Sequence, residues 1–277
     1  MSDTFKPPEI AKTLSDSCVT KVKCKWTNLA ILGFLAGAFI AFGAELSIMS
    51  TVGTAAVLGT GLTKVIAGSV FSVGLMLVVI AGAELWTGNN LMVISTCDKK
   101  FGISSLLYNW SIVFSFNFIG AVFIALTMWG SGLWKTGDFQ WGITATSIAV
   151  NKVNLSFVEA FLRGIGCNWL VCLAVWIAVS SKDTIGKIFG IFFPIMAFVA
   201  SGFEHIIANM FFIPMGLFLK NEPSIIGHVI NIDSLTWGNM ITNNFIPVTL
   251  GNLVGGAFFV GFLYWWVYLK KDKNDKK

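Results

Sequence analysis

Six apolar runs, each at or above the ~20 residues that a membrane-spanning helix needs, make up most of this 277-residue chain. They lie at about Trp26 to Met49, Lys64 to Ile94, Leu106 to Trp129, Phe157 to Ser180, Ile188 to Leu219 and Asn244 to Leu269. With 55% hydrophobic residues, 12% charged and a mean hydropathy of +0.77, the composition is that of an integral membrane protein. The second and fifth runs are too long for one straight span, and one polar pattern interrupts both. Gly82, Glu84 and Asn89 recur as Gly202, Glu204 and Asn209, a Gly-x-Glu followed five residues later by Asn. An ionised group at bilayer depth costs about 3 kcal/mol or more unless it meets a partner or a cavity. Matched breaks therefore predict two split helices around one shared polar site.

The duplication extends further. Asn109, Asn117 and Gly120 in the third run share their spacing with Asn244, Asn252 and Gly255 in the sixth. Two halves follow, about 1 to 135 and 136 to 277, with repeats of about 26–135 and 136–269 inside a single transmembrane domain, 26–269. Three spans per half is an odd number, so the second half is expected upside down relative to the first. The expected fold is all-α, six transmembrane helices in two inverted three-helix repeats. Half-helices that begin near mid-bilayer aim unpaired N–H groups and partial positive charge at the centre, which favours an anion. Gly33 with Gly37, and Gly251 with Gly255, have the small-residue spacing that lets helices approach closely within the protomer.

Charge gives orientation. Lysines crowd one side of the pattern, in the segment 1–25, at Lys99, Lys100, Lys182 and Lys187, and in a basic tail, 270–277. The other side has Lys64, Lys135, Lys152 and Lys220. Both termini are expected in the cytoplasm and the protein in the cell's inner (plasma) membrane. The net charge of +5 is then juxtamembrane bias, not a nucleic-acid footprint. Residues 1–25 have no apolar core, so the first span is expected to act as its own insertion signal. The five cysteines suit neither a metal clip nor a disulfide framework, and no phosphate loop, His-Glu-x-x-His or Gly-x-Ser-x-Gly motif occurs. No cofactor and no catalysis are expected.

Four stretches resemble the signature motifs of the formate/nitrite transporter family. They are Ala83-Glu84-Leu85-Trp86-Thr87-Gly88, the run Cys167-Asn168-Trp169 to Ala174, Ser201-Gly202-Phe203-Glu204-His205 with Ala208-Asn209-Met210, and Ile246-Pro247-Val248-Thr249-Leu250-Gly251-Asn252. The resemblance implies an aquaporin-like helical fold, a homopentamer with one pore per protomer, and passage of small monovalent anions such as formate, nitrite or hydrosulfide. It also implies positions. Thr87 and His205 would be the central polar pair, Lys152 would stand on the outer approach, and Asn168, Asn209 and Asn252 would be supporting amides. Phe71, Leu75, Leu85 and Phe198 would form two apolar constrictions around the pair, with Trp86 bearing on the inner one where many members carry Phe. The family's N-terminal segment is proposed to cap the cytoplasmic mouth, and Pro7 to Lys25 is amphipathic enough to reach it.

The residues alone also admit plainer roles. His205 suits a structural histidine as well as a working one, Lys152 suits a snorkelling loop lysine, and Phe71, Leu75 and Phe198 suit packing. Glu204 would repel an anion, so it is expected to be a buried structural acceptor beside the pathway rather than a lining group. His228, near Asp233, is expected in solvent. Three function classes follow: an anion channel, an alternating-access proton-coupled carrier, and a membrane enzyme using Glu204 and His205. The channel leads, because a carrier needs more intramembrane charge than Glu45, Glu84, Glu159, Arg163 and Glu204 supply. A bare anion meeting apolar rings faces a large desolvation cost. It either takes a proton at or near His205 and crosses neutral, or crosses charged on Thr87 and His205 hydrogen bonds.

Overall fold

The computed structural model describes residues 4–270; residues 1–3 and 271–277, and with the latter most of the expected basic tail, lie outside it. The described residues are helical almost throughout. The helices are α1 (Pro7–Lys23), α2 (Trp26–Met49), α3 (Thr54–Gly82), α4 (Trp86–Asn89), α5 (Val93–Cys97), α6 (Ile103–Ser131), α7 (Gln140–Val153), α8 (Phe157–Ser180), α9 (Thr184–Ala200), α10 (Ile206–Leu219), α11 (Pro223–Ile226) and α12 (Trp237–Tyr268). Five of these, α2, α3, α6, α8 and α12, are long and apolar enough to cross a membrane. The fifth expected run is the shorter apolar pair α9 and α10.

Both breaks fall on the matched motif. Gly82 and Gly202 adopt left-handed backbone at φ 90° and 77°, a conformation that ends a helix and that L side chains resist. A few extended residues follow each glycine before α4 and α10 begin. The α2–α6 and α8–α12 pairs pack backbone to backbone. A Cβ on Gly37 would collide with the Asn117 carbonyl, and one on Gly251 with that of Phe161, as the small-residue spacing led one to expect. Large apolar side chains such as Ile31, Phe42, Leu107, Phe123, Phe189, Phe193 and Phe258 point outward, a surface suited to lipid or neighbouring copies.

One element differs from the sequence reading. Lys152 is not on a loop but in the last turn of α7. Trp141, Ala145, Ala149 and Val153 recur at four-residue steps and bury one face of that helix against α10.

Candidate functional site

The two breaks are held by the same set of bonds. At the first, Glu84 N–H donates to the Leu32 carbonyl at 3.2 Å and Trp86 N–H to Asn117 Oδ1 at 2.9 Å. Asn117 Nδ2 donates in turn to the carbonyls of Gly33 at 2.7 Å and Glu84 at 2.9 Å. At the second, Glu204 N–H donates to the Arg163 carbonyl at 3.2 Å and Ile206 N–H to Asn252 Oδ1 at 2.9 Å. Asn252 Nδ2 donates to the carbonyls of Gly164 at 2.8 Å and Glu204 at 2.9 Å. Backbone groups that the broken helices leave without a ladder partner are thus met by one buried amide each.

Each glutamate is likewise neutralised in place. Glu204 Oε2 accepts from Asn209 Nδ2 at 2.7 Å and Asn244 Nδ2 at 3.2 Å, while Lys152 Nζ donates to Oε1 at 2.9 Å. Glu84 Oε2 accepts from Asn89 Nδ2 at 2.7 Å, and Lys21 Nζ on α1 reaches both carboxylate oxygens at 2.8 Å. Lys21 also donates to Asn89 Oδ1 at 2.9 Å; the corresponding Asn209 Oδ1 is buried without a partner among the described residues. Lys21, which sequence reasoning did not place at the site, pairs with the first glutamate as Lys152 pairs with the second. Its signal was there in retrospect: a lysine on an amphipathic segment able to reach an unpaired intramembrane glutamate.

Two cavities flank the middle of the protein. One, of about 310 Å³, is lined by Lys152, Glu204, His205, Asn209, Lys64 and Arg163 among others. The other, of about 390 Å³, lies beneath α1 and is lined by Leu14, Cys18, Lys21, Glu84, Asn89 and Leu85 among others. Between them Phe71, Leu75, Leu85, Phe198, Ile40, Val171, Ile195 and His205 surround a gap too narrow for water. The four residues expected at the constrictions, Phe71, Leu75, Leu85 and Phe198, all line this closed septum, and His205 lies among them. Phe71 and Phe198 meet edge to face, ring centroids 5.7 Å apart, and Phe198 stacks on His205 at 5.8 Å.

Trp86 is a correction. Its ring packs against Trp110 and Phe114 of α6 at 6.1 and 5.3 Å and lines neither cavity nor septum, because at the start of α4 the chain turns Leu85 to the septum and the buried Trp86 to α6. The structure brings Thr87 and His205 together, Oγ1 to Nε2 at 2.9 Å, with both side chains buried. His205 is also the N-cap of α10, its Nδ1 accepting from Ala208 N–H at 3.1 Å. That bond leaves the ring proton on Nε2, which donates to the Thr87 hydroxyl oxygen. Asn168 lies behind the pair: its Nδ2 donates to Asn90 Oδ1 at 2.9 Å and to the Asn252 carbonyl at 2.7 Å, tying the two halves of the site together. All five cysteines are free, and His228 is exposed.

Comparison with known proteins agrees with this architecture. The formate/nitrite transporter family model matches residues 8–266. A probable formate transporter of Methanothermobacter thermautotrophicus is 47% identical over 98% of this chain and 100% of its own length. The formate channel FocA of Escherichia coli strain K12 is 38% identical over 98% and 97%. Among solved structures, one described as a pentameric formate channel with formate bound superposes with a TM-score of 0.82 at 37% identity, covering 88% of this chain and 98% of that one. Another, described as an FNT family ion channel, gives 0.81 at 27% identity over 94% and 98%. These relatives are channels and transporters, not enzymes, which removes the membrane-enzyme reading. The chain is a membrane protein of the formate/nitrite transporter family.

Proposed function

We propose that this protein is a membrane channel for formate that also admits other small anions of weak acids, nitrite and hydrosulfide among them, and that it works as a homopentamer with one pathway per protomer. The formate channels among its relatives and the pentameric neighbour support substrate and assembly. The matched bonding at the two breaks supports two inverted three-helix repeats. Lysine bias supports an α1 cavity on the cytoplasmic side of the plasma membrane, with both termini inside, and a Lys152 cavity outside.

The observation that carries the mechanism is a septum too narrow for water, lined by an imidazole whose Nδ1 accepts a backbone N–H. An anion pressed against Phe71, Leu75, Leu85 and Phe198 loses its hydration and gains no counter-charge, since Lys152 and Lys21 are each paired to a glutamate. His205 is not a resting cation. Protonating Nδ1 would set two N–H groups face to face and remove the α10 cap. The charge is therefore lost on the permeant itself: near an apolar wall a weak acid's own pKa rises, so the anion takes a proton from cavity water. It crosses as the neutral acid, with hydrogen bonds to the His205–Thr87 pair, and releases the proton in the opposite cavity.

A flux panel of formate, nitrite, hydrosulfide and chloride in proteoliposomes at several pH values tests this. Weak-acid anions should pass with a pH profile that follows each permeant's own pKa, and chloride, whose acid is strong, should be held back. His205→Asn, which keeps a capping side chain, should lower the rate and preserve the profile. Chloride passing at the rate of formate sinks the neutral crossing, and a flattened profile in the Asn variant returns the proton to the imidazole.

A further inference from the structure

The two cavities differ in charge. The inner cavity holds Lys21 and Glu84, which cancel. The outer one holds Lys64, Lys152 and Arg163 against Glu204, and Lys152 spends its charge on Glu204 at 2.9 Å. Lys64 and Arg163 form no ion pair among the described residues. The carboxylate of Glu159, one turn back from Arg163 on α8, is bonded by the N–H and hydroxyl of Ser156 at 2.9 and 2.7 Å and acts on the guanidinium only at a distance, without forming an ion pair. Arg163 is half-buried in the cavity wall, and Lys64 comes from α3, its Nζ lying 3.9 Å from where a Cβ on Gly202 would stand. Two cations from opposite halves of the chain thus line one cavity whose floor is Glu204 and His205.

We infer that Lys64 and Arg163 form an outer capture site for planar two-oxygen anions, and that they, rather than Lys152, supply the attraction at the mouth. This rests on the channel reading above. Arg163 is the only arginine in the chain, and its planar fork offers two parallel N–H groups to a carboxylate or nitrite, a match that a lysine or a spherical anion does not share. Lys64 contributes charge without that geometry. Because a passive pathway obeys detailed balance, the ratio of maximal rate to half-saturating concentration is equal from the two faces; the site lowers the outer concentration at which flux saturates and, by the same factor, raises the maximal rate from the inside. The Arg163 carbonyl that accepts from Glu204 N–H belongs to the backbone, so replacing the side chain keeps the second break intact.

The test is initial-rate flux against anion concentration in right-side-out and inside-out membrane vesicles, at low ionic strength and again at high. For Arg163→Gln and Lys64→Gln the half-saturating formate concentration from the outside should rise, by about tenfold in the double variant at low salt, with maximal rate unchanged. The difference should vanish at high salt, where the Debye length falls to about 3 Å, and from the inner face it should appear as an equal fall in maximal rate with the half-saturating concentration unchanged. Arg163→Lys should recover the salt-dependent part for hydrosulfide but not the full affinity for formate, which separates fork from charge. A wild-type protein that conducts formate alongside variants with unchanged outer saturation overturns the capture site alone. Equal rises in half-saturating concentration from both faces, or a loss of maximal rate from the outside, overturn it too, by making the effect structural. A wild-type protein that conducts nothing takes the channel reading down with it.

Discussion

At the scale of single residues, the informative difference between expectation and structure is Lys152. Its pattern reads as a mouth charge or a snorkelling loop lysine, but its ammonium sits on Glu204 with only 14% of the side chain exposed. Sequence shows that Glu204 needs a partner and that a lysine lies on the same side; it does not show that the two meet, because they stand 52 positions apart with α8 and α9 between them. Removing the cation leaves a carboxylate whose side chain is 6% exposed, with amide donors but no counter-charge. Breaking such a pair costs about 3–5 kcal/mol, far above what an exposed pair is worth. Lys152→Met should therefore cut flux sharply at every ionic strength, and adding Glu204→Gln should restore part of it by removing the stranded charge. A loss confined to low salt, with no recovery in the double variant, would return Lys152 to the mouth.

At the scale of elements, the helix breaks were legible because glycine, carboxylate and amide inside apolar runs have no cheap alternative, whereas α7 was hidden by its length. Its 14 residues are too few to span and its apolar face is partly small residues, so it lacks the signal of a membrane helix. The reach of α1 was foreseen, but its fastening was not. Lys100 Nζ meets Asp16 Oδ1 at 2.6 Å and Asp98 Oδ2 at 3.3 Å, and Ser15 Oγ donates to Asp98 at 2.9 Å. The Lys100 hydrogen bond holds the Asp16 carboxyl below its usual range against a small opposing effect of burial. For Lys100, burial works against the charge, but the bonds to both aspartates outweigh it and raise its pKa. A depressed carboxylate supports docking above its free pKa and loses that support as pH falls through the docked value; a raised lysine loses its support only as pH climbs through its own. Between about pH 5 and pH 9 the latch is therefore constant. Cys18, buried on α1, reports it. In a background without the other cysteines, Lys100→Ala should speed Cys18 alkylation by about fivefold, in line with the worth of an exposed pair, and the ratio of variant to wild type should be equal at pH 6 and pH 8. A ratio that collapses within that window means another group holds α1 down.

For the whole molecule, the apolar runs were legible in hydropathy, and five of the six contain helices long enough to cross a membrane, because that signal is set by the solvent rather than by partner residues; the direction of crossing is an expectation from lysine bias. The closure of the septum was not legible, since Ile40, Val171 and Ile195 look like any other core positions in sequence. The inverted arrangement is a claim about crossings and is tested as one. At 1.5 Å per residue the 29 residues of α6 run about 43 Å, more than the hydrocarbon thickness of about 30 Å, so its flanks at Lys99 and Thr136 belong on opposite faces. The 14 residues of α7 run about 21 Å and fall short, which keeps the start of α8 on the Thr136 side. Its 24 residues, about 36 Å, then carry the chain back, so that Lys182 lies on the same face as Lys99. Lys99, Thr136 and Lys182 are all exposed. In a cysteine-free background, Lys99→Cys and Lys182→Cys should react with an impermeant maleimide only from the cytoplasmic face, and Thr136→Cys only from the outside. That pattern makes the first half enter the bilayer from inside and the second from outside, as the shared bonding of the two breaks requires if one site is built twice in opposite senses. Labelling of Lys182→Cys from the outside would mean that α8 does not return, and the inverted repeat, with the mid-membrane meeting of Thr87 and His205 that depends on it, would have to be given up.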